Sequence, residues 1–205
     1  MAAGRSRRFG GDKRVAKFDD SQNLLQKSIS LIAPHCSVIL VVLKNEDKNQ
    51  FNELLGDWQH DSRIRIVFAE DAEKGMGCSL ANGVGFFLKW LETSGSQISG
   101  LLVMLADMPY IAPDTIQRVV DRHIDDKITY PCLDVIRLEK SWGHPVIFGK
   151  DCFHLLLRLT GDKGGRSIIL NNPDKRREVI VSDKNILRDV DTPDDLIKSQ
   201  KLNKD

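Results

Sequence analysis

Two unbroken apolar runs, residues 37–44 (SVILVVLK) and 101–105 (LLVML), set the tightest limit on how this chain can fold. A strand wetted on one face alternates apolar with polar residues; an unbroken run marks a strand buried on both faces. Helical spacing separates such runs. Ser21 is placed to cap a helix to about Ala33, with Leu25, Ile29 and Ile32 on one face. Phe51, Leu54 and Leu55 give a short amphipathic helix, and residues 63–69 alternate as a strand. A turn-rich segment, 71–80, leads into a helix ending near Trp90 to Thr93. Pro113 and Asp114 open a further helix through Ile124. Residues 128–132, the segment entered at Val146 and 178–181 read as strands, 152–159 as helix, and Pro193 follows the cap Thr192 of a last helix. Strands alternating with helices predict an α/β domain with a mainly parallel sheet. Its 205 residues fit one domain, with no repeat or linker interrupting the pattern.

The first fourteen residues carry the clearest candidate for a binding loop. Gly4, Gly10 and Gly11 allow main-chain N–H groups to turn inward on an anion, and Arg5, Arg7, Arg8, Lys13 and Arg14 surround them with positive charge suited to a polyphosphate. No Gly-Lys-Ser/Thr closes the loop, so it is not a Walker A sequence, and its glycine spacing is not that of dinucleotide-binding folds. The same residues also read as a basic, flexible tail.

The remaining composition narrows the field. The formal net charge is +1, so no global basic field points to nucleic acid. Cys36, Cys78, Cys132 and Cys152 are scattered, without the Cys-x-x-Cys pair that clamps zinc, and read as free thiols in or near a core. No apolar run reaches membrane-spanning length and no signal peptide precedes the loop, which predicts a cytoplasmic protein.

In an open parallel sheet, ligands bind beyond the carboxyl ends of the strands. Asp107 follows the run 101–105, and Asp191 follows another strand just ahead of a helix. Two such carboxylates facing a phosphate loop would make a magnesium–nucleotide site. Equally, Asp107 fits a turn closed by Met108 and Pro109, and Asp191 fits an acidic helix N-terminus. His144, between Gly143 and Pro145, reads as a substrate contact or as the filler of a polar corner. Ser79 is placed to cap the helix after it. No Ser-His-Asp or Cys-His arrangement stands out.

Taken together and in order, these motifs resemble one family. The stretch Ala2-Ala3-Gly4-x-Ser6-x-Arg8-Phe9-Gly10-x-x-Lys13 is similar to the nucleotidyltransferase signature of the molybdenum cofactor cytidylyl- and guanylyltransferases. Gly75-Met76-Gly77-x-Ser79-Leu80, Ala106-Asp107-Met108-Pro109, Gly143-His144-Pro145-Val146, Gly161-Asp162-x-Gly164-Gly165-Arg166 and Asp189-Val190-Asp191-Thr192-Pro193 resemble the cytidylyltransferase branch. Guanylyltransferases typically carry a different glycine loop and Asn-rich residues where Asp189 and Asp191 stand. There are departures. Family members place an apolar strand immediately before the loop, where this sequence has Met1; Ala106 replaces a common Gly, and Gly165 a common Ala.

The resemblance implies a three-layer α/β/α Rossmann-like nucleotidyltransferase domain over residues 1–205, lacking that first strand. It would move CMP from CTP to the terminal phosphate of the molybdenum cofactor, releasing pyrophosphate. Arg8 and Lys13 would act on the leaving phosphates. Ala2, Ala3, Gly4, Ser6, Gly10, Lys13, Gly75, Ser79 and Asp107 would bind the nucleotide, and Asp107 and Asp191 magnesium. His144, Asp162 and Arg166 would border the pterin substrate. The product's recipient would be a molybdoenzyme of the xanthine dehydrogenase type. Two rivals stand beside it: a guanylyltransferase or other NTP transferase with a different phosphorylated acceptor, and a nucleotide-binding module without catalysis.

Overall fold

The run 37–44 becomes a strand whose side chains divide between two layers. In the computed structural model, which describes residues 1–4, 8–133 and 141–196, β1 (Ile39–Lys44) pairs in parallel with β2 (Ile64–Ala69). Ile39, Val41 and Leu43 pack with Leu25 and Ile29 of α1 (Leu24–Ile32) and with Leu54 and Leu55 of α2 (Phe51–Leu55). Leu40 and Val42 face α3 (Met76–Ser94), where Gly83 lets the helix approach: a Cβ there would meet Val42 Cγ2 at 2.8 Å. Burial of each such Leu or Ile contributes roughly 1.5–3 kcal/mol.

A second sheet follows the order β3 (Gly100–Val103), β5 (Val146–Gly149), β4 (Ile128–Leu133), β6 (Arg176–Val181). β5 runs antiparallel to both β3 and β4, while β4 and β6 are parallel, so this sheet is mixed, as a Rossmann-like nucleotidyltransferase domain allows. One face is covered by α3 with α5 (Phe153–Leu156) and α6 (Gly165–Asn171), around Phe148, Tyr130 and Leu156. The other carries α4 (Pro113–Asp121) over Ile147, Val179 and Val181. This is the expected three-layer α/β arrangement. Met1 and Ala2 join the two sheets: Ala2 N donates to Val42 O at 2.9 Å and Ala106 N to Met1 O at 3.0 Å. Beside this junction, β1, β3 and α3 enclose a cavity of about 260 Å³.

Several boundaries differ from the sequence reading for local reasons. Asn23, not Ser21, caps α1 through a reciprocal pair with Gln26, because Ser21 donates to Asp19 in a tight turn. β3 ends at Val103, since Met104 and Ala106 turn their main chain to Met1. α4 stops at Asp121 rather than Ile124, where His123 N bonds to Val120 O. Helix 152–159 shrinks to α5 as Leu159 N tightens onto Leu156 O at 3.2 Å. α6 carries no helix signal at its start, because two glycines and a basic residue open it. The chain is helical at 193–196, and Thr192 and Asp195 cap each other as the sequence suggests. All four cysteines are free, Cys132 and Cys152 buried. No helix among the described residues is long and apolar enough to cross a membrane.

Gly143 tests how tightly the second sheet is closed. A Cβ there would stand 1.9 Å from Ile186 O, a main-chain atom that cannot swing aside. Gly143→Ala is expected to destabilise the protein by about 1–3 kcal/mol or more. Gly11, whose added Cβ meets nothing within 4 Å, should tolerate Ala within about 0.5 kcal/mol. Urea denaturation of the two variants checks this contrast.

Candidate active site

Lys13 opens a single 3₁₀ turn, residues 13–15, capped by Asp12, whose carboxylate accepts from Arg14 N. The turn directs the Lys13 ammonium onto two carboxylates. Its Nζ lies 2.7 Å from Asp107 Oδ2 and 3.3 Å from Asp191 Oδ1, and donates to Val190 O at 2.9 Å. Arg8 Nη1 pairs with the other oxygen of Asp191. Val190 N in turn donates to Asp107 O at 2.8 Å, so the two carboxylate segments are tied together by their main chains. Asp107 therefore sits just past β3, as its place after the apolar run predicts, and Asp191 reaches it from the far end of the chain.

Charge in this cluster is unevenly matched. Burial alone would lower the Lys13 pKa, but the hydrogen bond and charge of Asp107, then those of Asp191, raise it. Asp189 is pushed up by burial and by the charges of Asp191 and Asp107. One oxygen of Asp107, Oδ1, is buried with no hydrogen-bond partner among the described residues. A buried acceptor left unmatched costs free energy unless a cation or donor arrives.

Two cavities meet here. One of about 350 Å³ is lined by Ala2, Ala3, Gly4, Lys13, Glu73, Gly75, Ser79 and Asp107, among others. Gly75 takes φ +120°, and a Cβ on it would stand 2.4 Å from Asp162 Oδ1, so only glycine fits between the two loops. Ser79 is buried and bonds back to Gly75 O rather than capping the helix. The other cavity, about 700 Å³, is lined by Trp142, Gly143, His144, Asp162, Gly164, Arg166 and Asp189. Met76, Leu105 and Asp162 wall both. The Arg166 guanidinium lies 4.7 Å from the centre of the Trp142 ring.

Most of the candidate residues thus converge. Gly10 lies apart, exposed on the outer turn at φ +76°. Ser6, with Arg5 and Arg7, lies outside the described residues. His144 walls the larger cavity, and its Nδ1 bonds Val103 O at 3.2 Å while burial lowers its pKa. Arg14 departs from the basic patch expected of it, being buried against Asp12 and Asp47. Sequence reasoning missed Trp142 and Asp47. Trp142 stands immediately before the Gly143-His144-Pro145-Val146 motif, while Asp47 in a polar turn carried no signal.

Comparison with known proteins agrees with this geometry. Residues 1–177 match the model of the MobA-like NTP transferase domain. The purine catabolism protein PucB of Bacillus subtilis is 26% identical over 95% of this chain and 91% of its own. A probable molybdenum cofactor guanylyltransferase of Chloroflexus aggregans is 35% identical over 71% of this chain and 58% of its own. Rv0371c of Mycobacterium tuberculosis shares the fold, with a TM-score of 0.73 and 24% identity over 98% of this chain and 95% of that one. A structure of that protein in complex with manganese superposes with a TM-score of 0.69, at 23% identity over 96% of this chain and 92% of that one. A glycine loop, a paired-carboxylate cleft and a family match across most of the sequence lead to one assignment: the chain belongs to the MobA-like NTP transferases and is a nucleotidyltransferase.

Proposed function

We propose that this enzyme, a single domain over residues 1–205, transfers CMP from CTP to the terminal phosphate of the molybdenum cofactor. An oxygen of the acceptor phosphate bonds to the α-phosphorus of CTP as the bond to the β-phosphate oxygen breaks. Pyrophosphate leaves with that electron pair. The attacking oxygen is already ionised, so no strong base is required, and alignment with charge neutralisation carries the rate.

The observation that carries this reading is the Lys13 ammonium seated between Asp107 and Asp191, beside the unmatched Asp107 Oδ1. The residues fit a divalent cation: two carboxylates, one with an unused oxygen, suit magnesium, which keeps waters and substrate phosphates as its other ligands. Bound by Asp107 and Asp191, magnesium would supply positive charge at the α-phosphate. Lys13 and Arg8, both now paired with these carboxylates, would transfer to the leaving phosphates. Ala2, Ala3, Gly4, Gly75 and Ser79 wall the cavity for the nucleoside. His144, Asp162 and Arg166 wall the larger cavity, where a flat pterin would find the Trp142 and Arg166 faces. Ser6 and Gly10 complete the loop in this reading.

Asp189 and Asp191 favour CTP, following the cytidylyltransferase pattern. A second reading, GTP as donor, is favoured by the Chloroflexus relative, named a guanylyltransferase. In this reading the recipient is a molybdoenzyme of the xanthine dehydrogenase type, in the cytoplasm, which is compatible with one relative being named for purine catabolism.

Three outcomes are expected. Asp107→Asn should nearly abolish transfer with the fold intact by circular dichroism, and Asp191→Asn should lose less, an amide oxygen still reaching the cation. Retained magnesium-dependent turnover in Asp107→Asn would remove Asp107 from the site. Calorimetric titration in magnesium should show tighter binding of CTP than of GTP; a reversed order would favour the second reading. Lys13→Ala should lower kcat more than it raises KM for CTP, by on the order of 10²-fold. Steady-state kinetics with added salt would separate this from a diffuse basic effect, which raises KM alone and fades with ionic strength.

A further inference from the structure

Lys13 and Arg14 are neighbours whose side chains diverge. Lys13 enters the cleft, whereas Arg14 turns under the loop; it reaches the wall of the smaller cavity but is only 4% exposed, its guanidinium nitrogens taken up by protein acceptors. Its Nη1 donates to Ala2 O at 3.0 Å and to Asp47 Oδ2 at 2.5 Å. Its Nη2 donates to Asp47 Oδ1 at 2.8 Å and to Asp12 Oδ2 at 2.5 Å, and its Nε to Asp12 Oδ1 at 2.8 Å. Asp47 has no exposed surface, and its Oδ2 also accepts Lys44 N at 2.9 Å. Burial would push the Asp47 and Asp12 carboxyls up, yet hydrogen bonds and charge from Arg14 hold both below the usual range.

Such a buried ion pair is weak evidence for a purely stabilising role, because well-packed apolar residues often serve as well. Its distinctive effect is geometric. The rigid guanidinium fork reaches three segments at once: the root of the loop at Ala2, its end at Asp12, and the turn after β1 at Asp47. Ala2 is otherwise strung between Val42 and, through Met1, Ala106, which precedes Asp107. Holding Ala2 O and Asp12 together fixes the distance across the loop, and with it the place from which Lys13 meets Asp107 and Asp191.

We propose that Arg14 is a positioning residue for nucleotidyl transfer, acting through Ala2 and Lys13 rather than on the nucleotide. The clamp would pre-set the loop so that Lys13 arrives at the leaving phosphates without reordering the main chain. Misplacement by about 1 Å can cost on the order of 10²-fold in rate. The inference rests on the nucleotidyltransferase activity and is independent of whether the base is cytosine or guanine.

Arg14→Met leaves the Asp47 charge buried alone and can fail to fold, so the decisive variant is Arg14→Met with Asp47→Asn, which removes both charges and keeps an acceptor for Lys44 N. Arg14→Lys keeps the charge but not the fork. Turnover is measured with CTP and with GTP, molybdenum cofactor being the acceptor, alongside thermal melting and amide hydrogen exchange. The expected result for both variants is a cooperative melt, kcat at least about tenfold lower with KM for the acceptor unchanged, and faster exchange in residues 2–13 while residues 39–44 stay protected. A kcat within twofold of the parent enzyme would overturn the proposal. So would exchange rising equally in β1, or loss of folding in the double variant, either of which makes the clamp part of the scaffold. If the unmodified enzyme does not use this acceptor, the proposed function fails by itself. Positioning is then read from magnesium–nucleotide binding, where both variants should lose the protection of residues 2–13 that nucleotide confers; retained protection would overturn it.

Discussion

The two sheets are held in one frame by the main chain of Met1 and Ala2, bonded to Val42 on one side and to residues 104–106 on the other. These same two residues begin the glycine loop, so the scaffold and the nucleotide cleft share an anchor. A loop of small residues has many accessible conformations, and ordering it costs roughly 1–2 kcal/mol per residue. Rooting the loop between two strands, and bracing it from below with Arg14, meets that cost in the folded state before a ligand arrives.

At the other end of the loop the controlling term is charge. Asp107, Asp189 and Asp191 gather where β3 and the segment after residue 188 meet, and the pKa of Asp189 is raised by burial first and then by the charges of Asp191 and Asp107. Lys13 and Arg8 offset the repulsion at Asp107 and Asp191. Proximity of like charges makes such a cluster receptive to further cations, and the unmatched oxygen of Asp107 gives one a place. The ion pairs that stabilise the free enzyme are thus the contacts that substrate and metal would exchange.

Much of the architecture could be read directly. Residues 37–44 and 101–105 are apolar because their strands lie between helical layers that cover both faces in large part, and Asp107 stands where such a strand opens onto a crevice. The antiparallel β5 could not be read so, since Val146–Gly149 is apolar whichever way it runs and its direction is set by pairing with β3 and β4. α6 escaped because its glycines look like a turn; they are needed for packing, as a Cβ on Gly165 would press within 2.9 Å of Phe148. Arg14 was misplaced for a deeper reason. Its charge suggests solvent or phosphate, and only the fold brings Asp47, thirty-three positions away, to meet it.

The arrangement of the two cavities gives the chemistry a direction. The smaller holds the loop, Lys13 and Asp107; the larger holds Trp142, His144, Arg166 and Asp189; Met76, Leu105 and Asp162 form the partition. Burial lowers the pKa of His144, working against a charge there, while the Nδ1 bond to Val103 O acts weakly the other way. Positive charge in the larger cavity comes from Arg166, stacked on Trp142, and from Lys163, while Lys13 and Asp107 line the smaller one. An acidic centre flanked by cationic groups suits a transfer in which anions on both sides must approach without repelling one another. In the proposed reaction a divalent cation at Asp107 would close that gap, so that charge, more than shape, would order the events in this cleft.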